Sequence, residues 1–201
     1  MTTFGAVLAA GSSSRLGRPK QLLELAGEPL VRRAARLLRE AGCERVVVVL
    51  GANAAAIEPV LAGASVEILH NAAWSGGMGT SLAAAARWAL AGAATALLVS
   101  VCDQPRLETA HLRALMAAAG EGEAGVVASR YAGVAGVPAV LDRDALAMLA
   151  TLHGDAGARE LLRAPTTRTI DWPAGAFDLD TPADLEQLGA DGVDRSRPPP
   201  G

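Results

Sequence analysis

Residues 4–20 read FGAVLAAGSSSRLGRPK, and this stretch decides the fold. Phe4–Ala10 is a continuous apolar run that stops at Gly11, which is typical of a strand buried on both faces. The residues that follow are small, hydroxylated or cationic, and they form a loop that runs to Lys20. Ligands of open α/β sheets bind beyond the carboxyl ends of the strands, so this loop is the first candidate for a site.

The rest of the chain alternates short apolar runs with helical patterns. Leu30–Ala41 has one apolar stripe, carries arginines elsewhere and stops at Gly42, which predicts an amphipathic helix. The other predicted strands are Arg45–Leu50, Val66–Leu69, Ala96–Val101, Gly125–Ser129, Pro138–Leu141, Arg168–Asp171 and Phe177–Leu179. The other predicted helices begin after Asn53 and at Thr80 or Ser81, and cover Thr109–Ala119, Arg143–Leu149, Ala156–Leu162 and Pro182–Leu188. This alternation predicts an α/β fold, a three-layer, Rossmann-like, mostly parallel sheet with helices on both faces.

Length and composition favour a single domain. A chain of 201 residues fits one α/β unit, which we predict to cover residues 1–190. The segment 191–201 ends in Pro-Pro-Pro-Gly and has few apolar groups to pack, so we predict a disordered tail.

Charge, hydropathy and cysteine usage narrow the class of protein. The net charge of −3 argues against nucleic-acid binding, which usually needs a clustered basic face. The uncharged stretch Trp88–Cys102 is shorter than the ~20 apolar residues that a membrane-spanning helix needs. No charged region precedes the first apolar run as in a signal peptide, and the two cysteines do not form a C-x-x-C pair. These features predict a cytoplasmic protein with no membrane partner.

The loop from Ala9 to Lys20 has the composition of a phosphate site. Its glycines and serines allow backbone N–H groups to approach phosphate oxygens, and Arg15, Arg18 and Lys20 add positive charge. The spacing matches neither a dinucleotide-binding G-x-G-x-x-G motif nor a P-loop. A flexible surface loop would explain the small residues alone, whereas three cations in one strand-terminal loop favour a triphosphate.

Carboxylates follow two other predicted strands. Asp103 comes directly after Ala96–Val101, where one carboxylate can hold Mg²⁺ while substrate phosphates supply further ligands; the alternative is a turn residue before Pro105. Asp178 and Asp180 lie two positions apart before a helix, and we expect one of them to face the site. The histidines are scattered with no zinc-ligand spacing, so any metal is predicted to be a hard ion held by carboxylates.

Six segments resemble the nucleotidyltransferases of molybdenum-cofactor maturation, and most closely the molybdenum-cofactor cytidylyltransferases. They are Leu8–Arg15, Gly17 with Pro19–Leu22, Gly77–Leu82, Asp103–Pro105, Gly154–Arg159 and Asp178–Leu185. The opening motif with Lys20 is specific to the nucleotidyltransferase fold, and the Asp-Gln-Pro and Gly-Met-Gly-Thr-Ser-Leu segments point to the cytidylyl branch. The wider resemblance to sugar-phosphate nucleotidyltransferases implies a nucleotide-diphospho-sugar transferase-like sheet.

The resemblance implies a reaction and a set of site residues. The terminal phosphate of molybdopterin would attack the α-phosphate of CTP and release pyrophosphate, with Mg²⁺ as cofactor and a molybdoenzyme or its chaperone as a protein partner. The implied nucleotide-binding residues are Leu8, Ala9, Ala10, Gly11, Ser12, Lys20, Gly77, Met78, Thr80 and Ser81. The implied catalytic residues are Arg15, Lys20 and Asp103, and the implied metal ligands are Asp103 and Asp180, with Asp178 as the alternative to Asp180.

Because of two departures from the family pattern, the identity of the molecule that accepts the nucleotide is undecided. Cys102 stands where the family often has glycine, and Val137 stands where it often has the histidine of Gly-His-Pro. Three rival interpretations remain. The enzyme could use another phosphate acceptor such as a sugar phosphate, it could use another nucleotide, or the protein could be a non-catalytic chaperone that kept the nucleotide pocket. A dinucleotide-binding oxidoreductase also fits the alternation of elements, but the glycine spacing and Lys20 disfavour it.

Overall fold

Seven strands form one twisted sheet whose order is β5-β4-β1-β6-β8-β7-β9 in the computed structural model, which describes residues 1–121, 125–151 and 156–190. The strands of the chain are β1 (Thr3–Leu8), β2 (Glu24–Leu25), β3 (Glu28–Pro29), β4 (Val46–Leu50), β5 (Glu67–His70), β6 (Ala96–Val101), β7 (Val126–Tyr131), β8 (Val134–Asp142) and β9 (Arg168–Asp171). Every strand of the large sheet except β8 points the same way, and β8 is antiparallel to both β6 and β7. The predicted mostly parallel α/β sheet is confirmed.

Helices cover both faces of this sheet. They are α1 (Leu30–Ala41), α2 (Ala54–Ile57), α3 (Met78–Ala91), α4 (Thr109–Gly120), α5 (Arg143–Ala150), α6 (Ala156–Arg163) and α7 (Pro182–Ala190). The sheet has one hydrophobic core on each face, and alternate residues of β1 point into them. Val7 packs with α1 and α4, and Phe4, Ala6 and Leu8 pack with α3 and α5. Burial on both faces explains why β1, β4 and β6 are continuous apolar runs in the sequence.

A glycine sets how closely α1 approaches the sheet. A Cβ atom built on Gly5 would lie 3.1 Å from Cys43 Sγ and 3.2 Å from Leu38 Cβ, so the helix rests against the bare backbone of β1. Gly42 ends α1 in the left-handed conformation, with φ of 112°, as its position after the amphipathic stripe predicts. The first helix therefore has the bounds that the sequence predicts.

Three local predictions are wrong. Helix α3 begins at Met78, not at Thr80 or Ser81, because Gly77 with φ of 103° makes the turn into the helix. Asn53 precedes α2 in a left-handed conformation and its side chain makes no capping hydrogen bond. Phe177–Leu179 is not a strand. It is joined to the end of β6 by a hydrogen bond from Leu179 N to Asp103 O of 2.9 Å.

Some predictions fall outside the described residues. The tail 191–201 is among them, as are Gly154 and Asp155 of the family motif, and nothing tests the predicted domain bounds. Within the described ranges, no helix is both long enough and apolar enough to cross a membrane. The short hairpin of β2 and β3, which precedes α1, is a feature that the sequence does not predict.

Candidate active site

The predicted site residues collect at one edge of the sheet. Because β1, β4, β5 and β6 are parallel, their carboxyl ends share this edge. The loop 9–20 follows β1, Asp103 follows β6 after Cys102, and the segment 177–181 is tied to the same end of β6. This is the edge where open α/β sheets bind their ligands.

Lys20 joins two carboxylates that are distant in sequence. Its Nζ atom lies 2.5 Å from Asp103 Oδ2 and 2.8 Å from Asp180 Oδ1. Asp180 Oδ2 also accepts a hydrogen bond from Arg15 Nη2 at 2.5 Å. The side chains of Lys20 and Asp103 are only 17% and 18% exposed, so solvent screens their contact weakly. The structure thus brings together Arg15, Lys20, Asp103 and Asp180, whose roles remain predictions.

The start of α7 holds Asp180 in place. Asp184 Oδ2 accepts hydrogen bonds from the backbone N–H groups of Asp180 at 3.0 Å and Thr181 at 2.7 Å. Thr181 Oγ1 accepts a longer one from Asp184 N at 3.4 Å, which completes a reciprocal cap. Leu179 is fully buried, whereas Asp178 is exposed and Asp180 is partly exposed. Asp184 is therefore structural, as its position in the first turn predicts.

Charge pairing shifts the pKa values of this cluster. Burial disfavours the Lys20 ammonium, but the charges and hydrogen bonds of Asp103 and Asp180 outweigh it and raise the pKa of Lys20. The hydrogen bond from Lys20, together with the nearby Arg15, lowers the pKa of Asp180. Asp178 behaves differently, because desolvation and the charges of Asp103 and Asp180 raise its pKa to about 6. Of the two aspartates, Asp180 is the one whose carboxylate form Lys20 and Arg15 stabilise.

The donor set fits a hard divalent cation. Asp103 Oδ1 is buried and has no hydrogen-bond partner among the described residues, which leaves a carboxylate oxygen free for a ligand. Asp103 and Asp180 converge, since both contact the same Lys20 nitrogen. No group of three or more His, Cys, Asp or Glu in the described ranges is arranged to hold a metal by itself. Two carboxylates completed by phosphate oxygens and water match the coordination that Mg²⁺ prefers.

The loop after β1 turns its carbonyl groups inward. Gln21 Nε2 donates to Ala9 O at 2.9 Å and to Gly11 O at 2.8 Å, while Ala10 O accepts from Ala52 N at 3.0 Å. Within the described part of the chain, the backbone N–H groups of residues 10–15 have no acceptor. Gly11 and Ser12 are exposed. A loop whose carbonyls are satisfied and whose N–H groups are free can bind an anion.

The predicted nucleotide-binding residues near α3 are held by a buried amide. Asn71 Nδ2 donates to Thr80 Oγ1 at 2.9 Å and to Ser81 Oγ at 3.0 Å, and Thr80 Oγ1 also lies 2.8 Å from Gly77 O. The two hydroxyls therefore stabilise the start of α3 in this structure. Met78 is 57% exposed and is free to contact a ligand. Sequence analysis missed Asn71, whose single amide carries no motif.

A glycine brings the α3 side of the site against the β1 loop. A Cβ atom on Gly51 would lie 2.5 Å from Trp74 Cβ and 2.9 Å from Ala10 O. The turn Trp74–Gly76, which precedes α3, thus packs beside the first residues of the loop through the bare Gly51 backbone. Leu8, Ala9 and Ala10 are themselves buried, so they contribute shape and backbone to the site.

A second group of polar atoms lies beyond Asp103. Gln104 is buried, and its Nε2 donates to Val137 O at 3.1 Å and lies 3.3 Å from Tyr131 Oη. Tyr131 Oη donates to the same Val137 oxygen at 3.0 Å. The Val137 carbonyl therefore accepts hydrogen bonds that hold the structure together. The side chain of Val137 packs against the core. Gln104 belongs to the Asp-Gln-Pro segment, but the sequence gives no indication of this network.

Comparisons with known proteins give one family and relatives with different named activities. The sequence matches the family described as MobA-like NTP transferase domain over residues 5–169. It is 39% identical over 176 residues to the nicotine blue oxidoreductase of Paenarthrobacter nicotinovorans, covering 79% of this chain and 80% of that one. It is 38% identical over 123 residues to a probable molybdenum cofactor guanylyltransferase of Opitutus terrae, covering 61% of this chain and 58% of the relative.

A solved structure has the same fold over nearly the whole chain. Rv0371c of Mycobacterium tuberculosis, in complex with manganese, superposes with a TM-score of 0.72 at 28% sequence identity. The match covers 94% of this chain and 98% of that one.

Proposed function

Since this chain belongs to the MobA-like NTP transferase family, we propose that it is a Mg²⁺-dependent cytidylyltransferase that moves CMP from CTP onto molybdopterin in the cytoplasm. One observation carries the proposal. The Lys20 ammonium contacts Asp103 and Asp180 at the carboxyl edge of the sheet, beside the free N–H groups of the loop 10–15. A cation, a pair of carboxylates and an anion-binding loop are the parts that transfer from a nucleoside triphosphate requires.

The reaction needs no nucleophile from the protein. An oxygen of the molybdopterin phosphate forms a bond to the α-phosphorus of CTP, the bond from that phosphorus to the β-phosphate oxygen breaks, and pyrophosphate leaves. The attacking phosphate is already anionic at neutral pH, so no strong base is required. Cys102 is not a candidate nucleophile, because burial raises its pKa to about 12 and keeps it a thiol.

Each part of the site has a role in this step. The N–H groups of the loop 10–15 hold the phosphates, and Lys20 and Arg15 offset the charge that develops on the departing pyrophosphate. The triphosphate would draw Lys20 toward itself and free the two carboxylates. Catalysis then consists of positioning and electrostatic stabilisation, as in other phosphoryl-type transfers.

Asp103 and Asp180 are the residues that would hold Mg²⁺. The ion supplies positive charge that the triphosphate and its leaving group need. The unpartnered Asp103 Oδ1 supports this assignment, and so does the contact of both carboxylates with the same Lys20 nitrogen. The related fold of Rv0371c has been solved with manganese, which is also a hard divalent cation.

The identity of the base rests on Ala10. This residue is 6% exposed and lies two positions after the end of β1, in the loop proposed to bind the nucleotide. We infer that the Ala10 methyl group narrows the pocket in favour of cytosine, the smaller base. GTP is the competing donor, since a relative is named a probable molybdenum cofactor guanylyltransferase.

A panel of donors and acceptors tests the proposal. Pyrophosphate release is measured with each of the four nucleoside triphosphates, with Mg²⁺, and with molybdopterin, a sugar phosphate or no acceptor. We expect release with CTP and molybdopterin above all other pairs. Release only with a sugar phosphate would move the activity to that acceptor, which the departure at Val137 allows. Binding of CTP without release would instead support a chaperone for cofactor insertion into a molybdoenzyme.

A further inference from the structure

We infer that Gln21 is the positioning residue that shapes the phosphate-binding loop, so that N–H groups rather than carbonyl oxygens face the triphosphate. Gln21 does not meet the nucleotide itself, because its side chain is buried and the residue is only 1% exposed. The inference rests on the proposed function insofar as a triphosphate binds at this loop. It does not depend on the base or on the acceptor.

The Gln21 amide makes hydrogen bonds to three residues at the start of the loop. Its Nε2 donates to Ala9 O at 2.9 Å and to Gly11 O at 2.8 Å. Its Oε1 accepts a hydrogen bond from Ser13 Oγ at 3.3 Å. All polar atoms of the side chain are therefore engaged with loop residues, as a buried amide requires. One side chain fixes three of the first five residues after β1.

The direction of the carbonyl groups decides what the loop can bind. A carbonyl oxygen carries partial negative charge, so carbonyls that faced a triphosphate would repel it. Gln21 binds the carbonyls of Ala9 and Gly11, and Ala52 N binds the carbonyl between them. With these three oxygens held inward, the N–H groups of residues 10–15 are left without acceptors in the described part of the chain. Such an array of N–H groups is an anion-binding concavity.

The same amide is connected to the catalytic lysine. Ser13 Oγ, which donates to Gln21, accepts a hydrogen bond from the backbone N–H of Lys20 at 3.0 Å. Ser13 also has φ of 55°, a left-handed conformation that a non-glycine residue keeps only where neighbours hold it. The Gln21–Ser13 pair thus fixes the loop backbone and the backbone of Lys20, whose side chain reaches Asp103. Through Ser13 and the loop carbonyls, Gln21 thus influences both the N–H groups of the loop and the position of Lys20.

The chemistry of the position favours glutamine over residues of similar size. Leucine has nearly the same shape but would leave the carbonyls of Ala9 and Gly11 without their donor. Glutamate would set a carboxylate against two carbonyl oxygens and would lose both donors. Neither substitution changes a group that would touch the nucleotide. A loss of affinity in Gln21→Leu, which changes no charge, therefore reports the shape of the loop, whereas Gln21→Glu adds repulsion of the triphosphate to that effect.

The test is the binding of Mg²⁺–tripolyphosphate and Mg²⁺–CTP, measured by calorimetry on the unmodified protein and on Gln21→Leu and Gln21→Glu. We expect the Kd for both probes to rise at least about tenfold in each variant. The control is Leu146→Ala, a fully buried residue of α5 on the opposite core, which lowers stability without touching the loop. Its Kd should match that of the wild type, although its Tm falls.

A milder variant covers the case in which Gln21→Leu does not fold. Ser13→Ala removes the hydroxyl that links Gln21 to Lys20 in a partly exposed loop, and we expect a several-fold rise in Kd with little change in Tm. If Ser13→Ala and whichever Gln21 variant folds both bind the probes with wild-type affinity, the role of Gln21 is refuted and the proposed function still stands. A wild-type protein that binds neither probe would overturn the proposed function as well, so the two failures are distinguishable.

Discussion

Lys20 Nζ lies 2.5 Å from Asp103 Oδ2, although the two residues are 83 positions apart in the chain. The contact is largely shielded from solvent, and Asp180 shares the same ammonium group. Lys20 is thus a cation that both carboxylates share, and Arg15 is a second cation beside Asp180. The lysine of the proposed triphosphate site has a structural role in addition to its proposed role in transfer.

Replacing Lys20 by alanine tests both roles. We expect Lys20→Ala to lower kcat/KM about 10²-fold or more, because the leaving pyrophosphate loses a fixed cation. Stability should fall by about 1–3 kcal/mol, since Asp103 loses its cation and Asp180 keeps only Arg15. Arg168→Ala, an exposed arginine at the start of β9, is the control and should stay near the wild type. Initial rates and urea unfolding of both variants check this, and normal turnover by Lys20→Ala would place the triphosphate elsewhere.

The two aspartates should differ in their response to substitution. Asp103→Asn should nearly abolish turnover, by about 10²-fold or more, because the ionised oxygens that face the site are lost. Asp180→Asn should be milder, since the asparagine oxygen can still coordinate a cation. Rates are measured at increasing concentrations of Mg²⁺ and then of Mn²⁺. An Asp103→Asn enzyme that keeps its rate at low Mg²⁺ would show that this carboxylate does not hold the metal.

The choice of base should depend on the methyl group of Ala10. We expect the ratio of kcat/KM for CTP to that for GTP to fall in Ala10→Gly, because the wider pocket admits the purine. Pocket volume alone supplies about one to two orders of magnitude, so the change should stay within that range. Separate kinetics with each nucleotide give the ratio. Equal use of both nucleotides by the unmodified protein would refute the role of Ala10.

Both cysteines should be inert in the native protein. Burial raises the pKa of Cys43 and of Cys102 to about 12, so the reactive thiolate fraction at pH 8 is about 10⁻⁴. Because a raised thiol pKa disfavours the thiolate, reactivity should increase only as the pH approaches 12 or as the chain unfolds. Titration with a thiol reagent at pH 8 should modify neither residue until denaturant is added. Rapid labelling of folded protein at Cys102 would contradict its burial.

Much of the fold could be predicted because burial leaves a clear pattern in the sequence. Helix α1 and strand β6 have the predicted bounds, since one has an amphipathic stripe closed by Gly42 and the other is an apolar run between polar ends. The reversed strand β8 could not be recognised in this way. A strand that is buried on both faces has the same apolar pattern in either direction, so only the pairing with β6 and β7 reveals it.

The site was partly predictable for a different reason. Residues that follow parallel strands meet at one edge, which led to the prediction that Asp103 and Asp180 converge, and the structure brings both into contact with Lys20. The argument holds for Asp103, which follows β6, but Phe177–Leu179 is not a strand, and Asp180 reaches the edge because Leu179 N donates to Asp103 O. The sequence did not reveal that Lys20 lies between them, because the path of the loop depends on the carbonyls that Gln21 binds. A buried amide such as Gln21 has no periodic pattern, and its contacts are visible only in three dimensions.

One competition experiment tests the central claim most directly. The protein is incubated with Mg²⁺, molybdopterin and equal concentrations of CTP and GTP, and the products are identified by mass. We predict a dinucleotide in which CMP is joined to molybdopterin, formed in excess over the guanine product and accompanied by an equal amount of pyrophosphate. A guanine dinucleotide formed equally or in excess, or no dinucleotide at all, would contradict the account.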